Sequence, residues 1–147
     1  MRHEETRRVP LGLAALFAAL TLACASHRPP SATRPPTAAD AVVPAPGTVQ
    51  EGLASWYGPG YDGKRTSSGE TFDQDALTAA HFDWAFGTRV RVTLLSTRKS
   101  CVVRINDRFP NHKGRVIDVS RAAAQAIGLI GPGTGRVRLE VLPSVSQ

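Results

Sequence analysis

Three polar residues at the end of an apolar strand pattern are the first candidates for chemistry in this sequence. Side chains from Cys101 to Ile105 alternate with the period of two that is typical of a half-buried strand. Asn106, Asp107 and Arg108 follow directly, where the alternation would otherwise continue. A carboxylate at the mouth of a strand is positioned by the hydrogen-bonded ladder behind it, which suits it to proton transfer or ligand binding. A structural Asp–Arg pair would show the same pattern, and these residues alone favour that second interpretation.

Other candidate side chains give weaker signals. The sequence has two cysteines, and Cys101 on its strand is expected to be a small buried apolar residue rather than a nucleophile. His81 and His112 stand apart from any Cys, His or Asp spacing typical of a metal site, so the sequence predicts no metal and no cofactor. Taken alone, Glu70 after a glycine is typical of a turn, and His81 after two alanines is typical of a structural histidine.

Short strands and one brief helix surround these candidates. Ser120 is predicted to cap a helix that ends at Gly128. Apolar side chains alternate in the segments on either side, and glycine-rich turns separate them. Several short strands with such turns predict a small closed β-barrel. The strand-like segments are 52–58, 77–81, 89–95, 101–105, 115–119 and 136–142.

The chain begins with a predicted lipoprotein signal peptide over residues 1–23. Arginines near the start precede an apolar run over residues 11–23, which is too short to span a bilayer comfortably. A small residue then precedes Cys24, so Cys24 is the predicted lipidation site; the alternative is an ordinary signal peptide cut near Ala23 or Ala25. Lipidation would anchor the protein to a bacterial membrane, with the periplasmic face of the outer membrane as the expected location.

Composition and charge limit the remaining possibilities. Residues 24–50 are rich in proline and alanine and are predicted to form a disordered tether, and residues 143–147 a short tail. The formal net charge of +6 suits an anionic polymer or surface. Because a secretory signal argues against nucleic acid, the cell wall and lipid head groups are the polyanions that remain.

Six motifs cover nearly all of residues 52–142, namely ASWYGPGYDGKRTSSGETFD, ALTAAH, FGTRVRVT, VVRINDRFP, GRVIDVSRAAAQAIGL and VRLEVL. Together they resemble the RlpA (rare lipoprotein A) family. The resemblance implies an all-β fold, a six-stranded double-psi β-barrel with one or two short helices, shared in outline with expansins and family 45 endoglucanases. It also implies an endolytic peptidoglycan lytic transglycosylase, which cleaves the MurNAc–GlcNAc β-1,4 bond to leave 1,6-anhydroMurNAc ends.

The same resemblance implies a catalytic set of Asp107, His81 and Glu70. Asp107 is the candidate general acid and base, and the other two are expected to face it across one open groove. A nearby carboxylate helps a catalytic acid to keep its proton, and Glu70 is expected to be that neighbour. Arg108 would oppose this effect, so it is expected to point away from Asp107, toward solvent or substrate.

Substrate binding is predicted for Trp56, Tyr57, Asn106 and Arg108. Trp56 and Tyr57 are neighbours on a strand, so one should belong to the core, and Tyr57 is expected to be the exposed one. Asp118 is expected to make a structural contact near the start of the helix rather than to take part in chemistry.

The sequence departs from the family pattern at a few places. Phe109 stands where the family commonly has glycine, and Ala85 where proline usually precedes the turn. Because Phe109 borders the expected catalytic site, the resemblance does not determine the width of the cleft. The chain ends at Gln147, so no C-terminal SPOR domain is expected. The alternative function is that of a non-catalytic, expansin-like peptidoglycan-binding lipoprotein. Peptidoglycan strands are the expected partner, with possible divisome proteins, and the protein is expected to be a monomer.

Overall fold

Alternating apolar side chains build the core on the inner side of a curved sheet. The computed structural model describes residues 41–109 and 114–144. The short helix α1 spans Arg121–Ile127, and a 3-10 turn spans Pro59–Tyr61. The strands are β1 Val49–Trp56, β2 Thr78–Ala80, β3 Arg89–Leu94, β4 Ser100–Asp107, β5 Arg115–Val119 and β6 Thr134–Val141.

The six strands close into a barrel in the order β1-β5-β2-β4-β3-β6. Two pairs are parallel, β1 with β5 and β2 with β4, and the other pairs are antiparallel. Closure leaves no strand edge unpaired and so removes the usual site of edge-to-edge aggregation. The prediction of a six-stranded barrel with one or two short helices is confirmed.

The inward side chains are those that the period of two predicts. On β3, Val90, Val92 and Leu94 are buried and the residues between them face outward, and β6 repeats the pattern. The helix follows its predicted limits, because the Ser120 side chain accepts a hydrogen bond from the backbone of Ala123. The buried helix residues are Ala123, Ala124 and Ile127.

Two register shifts interrupt the parallel ladders. Between β2 and β4, Ala79 pairs with Ile105 and Ala80 pairs with Asp107, so Asn106 of β4 has no partner in the register. A similar shift in β5 skips Val116. An extra residue of this kind bends a strand and redirects the side chains beyond it, a device common next to functional sites.

The N-terminal boundary of the barrel lies earlier than predicted. Residues up to 50 were expected to be tether, yet β1 begins at Val49, and the backbone of Val42 hydrogen-bonds to Asp83 and Ala85. Gly47 also donates to Val141. These contacts are made by backbone groups, so a prediction from side-chain composition could not detect them.

The signal peptide, Cys24, His112 and residues 145–147 lie outside the described residues. Within the described ranges, no helix has the length and apolar character needed to cross a membrane.

Cys101 is a half-buried residue packed against the core. Its Sγ lies 3.8 Å from the backbone oxygen of Ala123, and burial raises the pKa of the thiol to about 11. A thiol with such a pKa is a poor nucleophile near neutral pH, which agrees with the predicted structural role.

Gly128 provides a test of how the helix ends. It has a φ of +84°, and its N–H bonds to the last turn of α1. A side chain there would make only ordinary contact with Thr97, so Gly128→Ala is expected to cost about 1 kcal/mol through backbone strain, or roughly 4–8 °C in melting temperature. Gly131→Ala is the control, since that residue has open space around it and no positive φ. Equal losses in the two melting curves would contradict this account.

Candidate functional site

An open cavity of about 510 Å³ lies where the C-terminal residues of β1, β2, β4 and β5 meet. Its volume falls within the range of small-molecule sites. Aromatic side chains form one part of its wall and charged side chains another. The lining residues are Ser55, Trp56, Tyr57, Gly58, Pro59, Gly60, Tyr61, Ala80, Asp107, Arg108, Phe109, Arg115 and Asp118.

Two carboxyl groups face this cavity from strands on either side of β2. Ala80 pairs with Asp107 of β4 and with Asp118 of β5. Neighbouring strands lie about 4.8 Å apart, so the two aspartate backbones are separated by roughly 10 Å across the small methyl group of Ala80. Because all three residues line the cavity, the alanine leaves room for a ligand between two acidic groups.

Asp107 is held by three hydrogen bonds to one of its oxygens. Its Oδ1 accepts from the backbone N–H of Ser67 at 2.8 Å, from the Ser67 hydroxyl at 2.7 Å and from the N–H of Arg108 at 2.8 Å. Oδ2 accepts no hydrogen bond from the described residues. The carboxyl group is therefore fixed in orientation, with its second oxygen available to a ligand.

The serine that holds Asp107 belongs to a tight hairpin over residues 63–72. Backbone bonds between Lys64 and Phe72 and between Thr66 and Glu70 close this hairpin. The N–H of Ser68 bonds to the backbone oxygen of Asn106, which places the tip of the hairpin on the end of β4.

Glu70 anchors the hairpin and does not line the cavity. Its carboxylate pairs with both terminal nitrogens of Arg104, at 2.7 and 2.9 Å, and accepts from Asn106 Nδ2 at 3.1 Å. These hydrogen bonds, of which those from Arg104 have the largest effect, lower the pKa of Glu70 to about 2. The expectation that Glu70 is the carboxylate neighbour of Asp107 in the groove is therefore corrected, because its charge is neutralised by Arg104.

His81 is buried, and the structure does not place it among the cavity residues. Its ring stacks on Trp84 with a centroid distance of 4.0 Å, and its Nε2 lies 3.0 Å from Gln50 Oε1. Nδ1 is 3.2 Å from the backbone N of Trp84 and 3.3 Å from Asp83 Oδ1. Of the three predicted catalytic side chains, Asp107 lines this cavity, whereas Glu70 and His81 do not. His81 contacts Asp107 through the backbone, where its N–H donates to the Asp107 carbonyl oxygen.

Asn106 and Arg108 were both predicted to bind substrate, and the structure separates them. Asn106 is buried and bonds to Glu70, so it supports the hairpin rather than lining the cavity. Arg108 does line the cavity, and its Nη1 donates to the backbone oxygens of His81 and Asp107 at 3.4 and 3.3 Å. It lies over the ring of Phe86, 3.9 Å from the centroid, rather than extending into solvent. Burial lowers the pKa of Arg108.

The aromatic wall differs from the sequence-based expectation. Trp56 and Tyr57 are both half-buried and both line the cavity. The ring of Tyr57 stacks on Phe72, and burial, followed by the charges of Asp107 and Asp118, raises the pKa of Tyr57. The exposed aromatic is Tyr61, at 56%. Sequence reasoning missed Tyr61 because it lies in a polar, glycine-bearing loop.

Asp118 is the second residue that sequence reasoning missed. It accepts a hydrogen bond from Ser55 and lies 3.4 Å from Arg115, so its contacts are on β1 and β5 rather than at the helix start. Burial raises the pKa of Asp118, although the Ser55 hydrogen bond and the charge of Arg115 oppose the rise. A carboxylate inside an otherwise apolar strand is the sequence signal that could have identified Asp118 as a candidate.

Comparison with known proteins identifies the family. The family model described as lytic transglycolase matches residues 49–139. Over 94 residues the chain is 56% identical to a protein from Synechocystis named probable endolytic peptidoglycan transglycosylase RlpA, covering 64% of this chain. Over 100 residues it is 50% identical to the endolytic peptidoglycan transglycosylase RlpA of Campylobacter jejuni, covering 68% of this chain. The chain belongs to the RlpA-like lytic transglycolase family.

This RlpA-like barrel accounts for part of its relatives only. The aligned segments span 29% of the Synechocystis protein and 36% of the Campylobacter protein. Among solved structures, Streptomyces papain inhibitor matches with a TM-score of 0.56 at 17% identity, covering 69% of this chain and 100% of the inhibitor. An expansin from Clavibacter michiganensis matches with a TM-score of 0.55 at 17% identity, covering 68% and 53% of the two chains. These likenesses concern the fold, and they confirm the predicted double-psi barrel.

The ion pair between Glu70 and Arg104 predicts a pH-dependent stability. A carboxylate with a lowered pKa stabilises the fold above its ordinary pKa of 4.5, and this contribution is lost as the pH falls toward 2. Glu70→Gln should therefore lower the free energy of unfolding at pH 6–7 and have little effect at pH 2. Because both side chains are 43% exposed, we expect a loss of about 1 kcal/mol or less.

Chemical denaturation across this pH range measures the effect. Glu51→Gln is the matched control, because Glu51 is exposed and forms no ion pair with the described residues. A difference between wild type and Glu70→Gln that stays constant from pH 7 to pH 2 would show that the charge of Glu70 does not stabilise the hairpin.

Proposed function

We propose that this protein is an endolytic peptidoglycan transglycosylase that cleaves the MurNAc–GlcNAc β-1,4 bond and leaves 1,6-anhydroMurNAc ends. The observation that carries the proposal is Asp107, which is fixed through one oxygen at the wall of an open cavity while its other oxygen accepts no hydrogen bond from residues 41–109 and 114–144. The names of the RlpA relatives support the same activity.

The reaction needs one side chain that both gives and takes a proton. Asp107 is proposed to protonate the glycosidic oxygen as the bond to the muramyl C1 breaks, which releases the GlcNAc hydroxyl. The muramyl C6 hydroxyl then bonds to C1, and its proton returns to Asp107. Because this hydroxyl replaces water as the nucleophile, the reaction does not require the water-activating carboxylate of an inverting glycosidase.

Asp118 is proposed to supply the neighbouring carboxyl group that sequence analysis assigned to Glu70. It shares the cavity with Asp107, and the two flank Ala80. Its carboxyl group adds a second acidic side chain to the wall of the cavity beside the proposed acid. Arg115 and Ser55 fix the position of Asp118.

Glu70 and His81 are proposed as positioning residues rather than residues that touch the sugar. Glu70 holds the hairpin that carries Ser67, which in turn orients the Asp107 carboxylate. His81 fills the space behind β2 and fixes the backbone beside Asp107. Loss of either side chain should reduce activity by disturbing the position of Asp107.

The aromatic wall is proposed to bind the sugar rings. Tyr61 is exposed at the cavity, with Trp56 and Tyr57 beside it, and aromatic faces stack on the apolar faces of sugars. The Arg108 guanidinium closes another part of the wall. Phe109, in place of the glycine common in the family, lines the cavity as well and narrows the space next to Asp107.

The proposed setting is the cell envelope, where peptidoglycan is found. Lipid attachment at Cys24 is proposed to hold the protein at a membrane, with the periplasmic face of the outer membrane as the proposed location. Divisome proteins are proposed as possible partners, and the protein is proposed to act as a monomer.

Asp107→Asn is expected to abolish formation of anhydromuramyl products from purified peptidoglycan, with a loss of at least 100-fold. The asparagine keeps the shape and the hydrogen-bond acceptor for Ser67 but removes the transferable proton. Asp73→Asn is the control, since Asp73 is an exposed carboxylate in a loop outside the cavity. Products released by Asp107→Asn at the wild-type rate would exclude Asp107 as the acid. Binding to sacculi without anhydro products from wild type would instead support the expansin-like alternative.

Asp118→Asn is expected to reduce the rate of anhydro product formation from purified peptidoglycan by about tenfold or more. The asparagine keeps the shape of the side chain but removes the second acidic group from the cavity wall. The measurement is the rate of anhydro product formation, with Asp73→Asn as the control. A rate equal to that of wild type would show that the Asp118 carboxyl group does not contribute to the reaction.

A further inference from the structure

The positive charge of the barrel is concentrated on one outer surface that the proposed catalytic site does not use. This surface, called here the basic face, covers the outer side of β3 with its following turn, β6 and the first half of β1. It carries six basic side chains and two acidic ones, whereas the rest of the described residues carry six basic and seven acidic ones. The charged members of the basic face are Arg89, Arg91, Arg98, Lys99, Arg136, Arg138, Glu51 and Glu140.

Strand register places these side chains side by side. Thr93 of β3 pairs with Arg138 of β6, and Arg91 pairs with Glu140. Directly opposed residues of an antiparallel pair project on the same side of the sheet. Because Val92 and Leu139 between them are buried, the arginines of both strands project outward.

Most of these cations form no ion pair with the described residues. Arg91 pairs with Glu140 at 2.8 Å. The other five make no ion pair with any residue in the ranges 41–109 and 114–144, although Arg138 lies opposite Glu51 in the strand register. All five are exposed. Exposed cations without ion pairs on one surface are suited to a partner with many negative charges.

Exposed aliphatic side chains lie among the arginines. Leu53 of β1 pairs with Arg136 on one side, and the N–H of Leu95 bonds to the Arg136 carbonyl on the other. Each leucine is 40% exposed, and Val49 opposite Glu140 is 45% exposed. Cations mixed with aliphatic side chains match the head-group region of an anionic bilayer, where phosphates meet the first methylene groups.

The barrel order sets the orientation of this surface. In the closed ring β1-β5-β2-β4-β3-β6, strands β3 and β6 lie across the barrel from β5 and β2. Those two strands carry Asp118 and Ala80 of the cavity. We propose that the basic face binds anionic phospholipid head groups and lays the barrel on a membrane surface with the cavity directed away from it.

Vesicle binding tests the proposal with the full chain carrying Cys24→Ser, so that no attached lipid contributes. The probes are vesicles of phosphatidylcholine alone and vesicles with 30% phosphatidylglycerol, at 0.1 M salt. We expect binding to the anionic vesicles to exceed binding to the neutral ones. Arg136→Gln with Arg138→Gln should then reduce the anionic partition coefficient roughly thirtyfold. Arg89→Gln with Arg98→Gln, on the same face, should reduce it similarly.

A charge-matched control distinguishes an effect of the basic face from an effect of the protein's net charge. Arg65→Gln with Arg121→Gln removes the same charge elsewhere on the barrel and should change binding less than twofold. Equal losses in the control and the face variants, or equal binding to the two vesicle types, would overturn the proposal. So would face variants that lose binding to purified sacculi but keep binding to vesicles. Melting curves check that each variant is folded, and the activity of the two face variants on soluble glycan, which should not change, keeps this test separate from that of the proposed function.

Discussion

The docking of one hairpin onto the end of β4 is the interaction on which the site depends. Glu70 joins the hairpin to Arg104 and Asn106, and two residues away along the turn Ser68 bonds to the Asn106 backbone. Ser67, the residue before Ser68, donates two hydrogen bonds to Asp107. An exposed ion pair contributes little energy by itself, but here it determines where a donor pair stands relative to a carboxylate.

The barrel provides the second constraint on the site. Closure forces parallel and antiparallel pairings to meet at β2, and this short strand therefore lies between Asp107 and Asp118. The skipped residue Asn106 brings Asp107 into register with Ala80 and turns the Asn106 amide toward Glu70. One irregularity in the ladder thus serves both the cavity and the hairpin. Strands without that extra residue would present a different side chain to the cavity.

The fold could be predicted from the sequence more completely than the candidate site. The inward faces of β3 and β6 follow from a local period of two, and the helix limits follow from Ser120 and Gly128. The cavity depends on contacts distant in sequence, such as Ser55 with Asp118 at a separation of 63 residues and Ser67 with Asp107 at 40. The sequence around each of these four residues gives no indication of which distant residue it contacts. Glu70 and His81 were expected in the groove because of the family resemblance; in the structure they contact Arg104 and Trp84, and neither lines the cavity.

The most direct measurement of the central claim is a crystal structure of the Asp107→Asn protein with a muramyl-containing tetrasaccharide bound. The account predicts sugar rings on Trp56 and Tyr61, with the scissile glycosidic oxygen within about 3 Å of the side-chain atom that replaces Oδ2 of Asp107. Density for the tetrasaccharide on another surface of the barrel, with the carboxyamide of residue 107 still facing empty cavity, would contradict it.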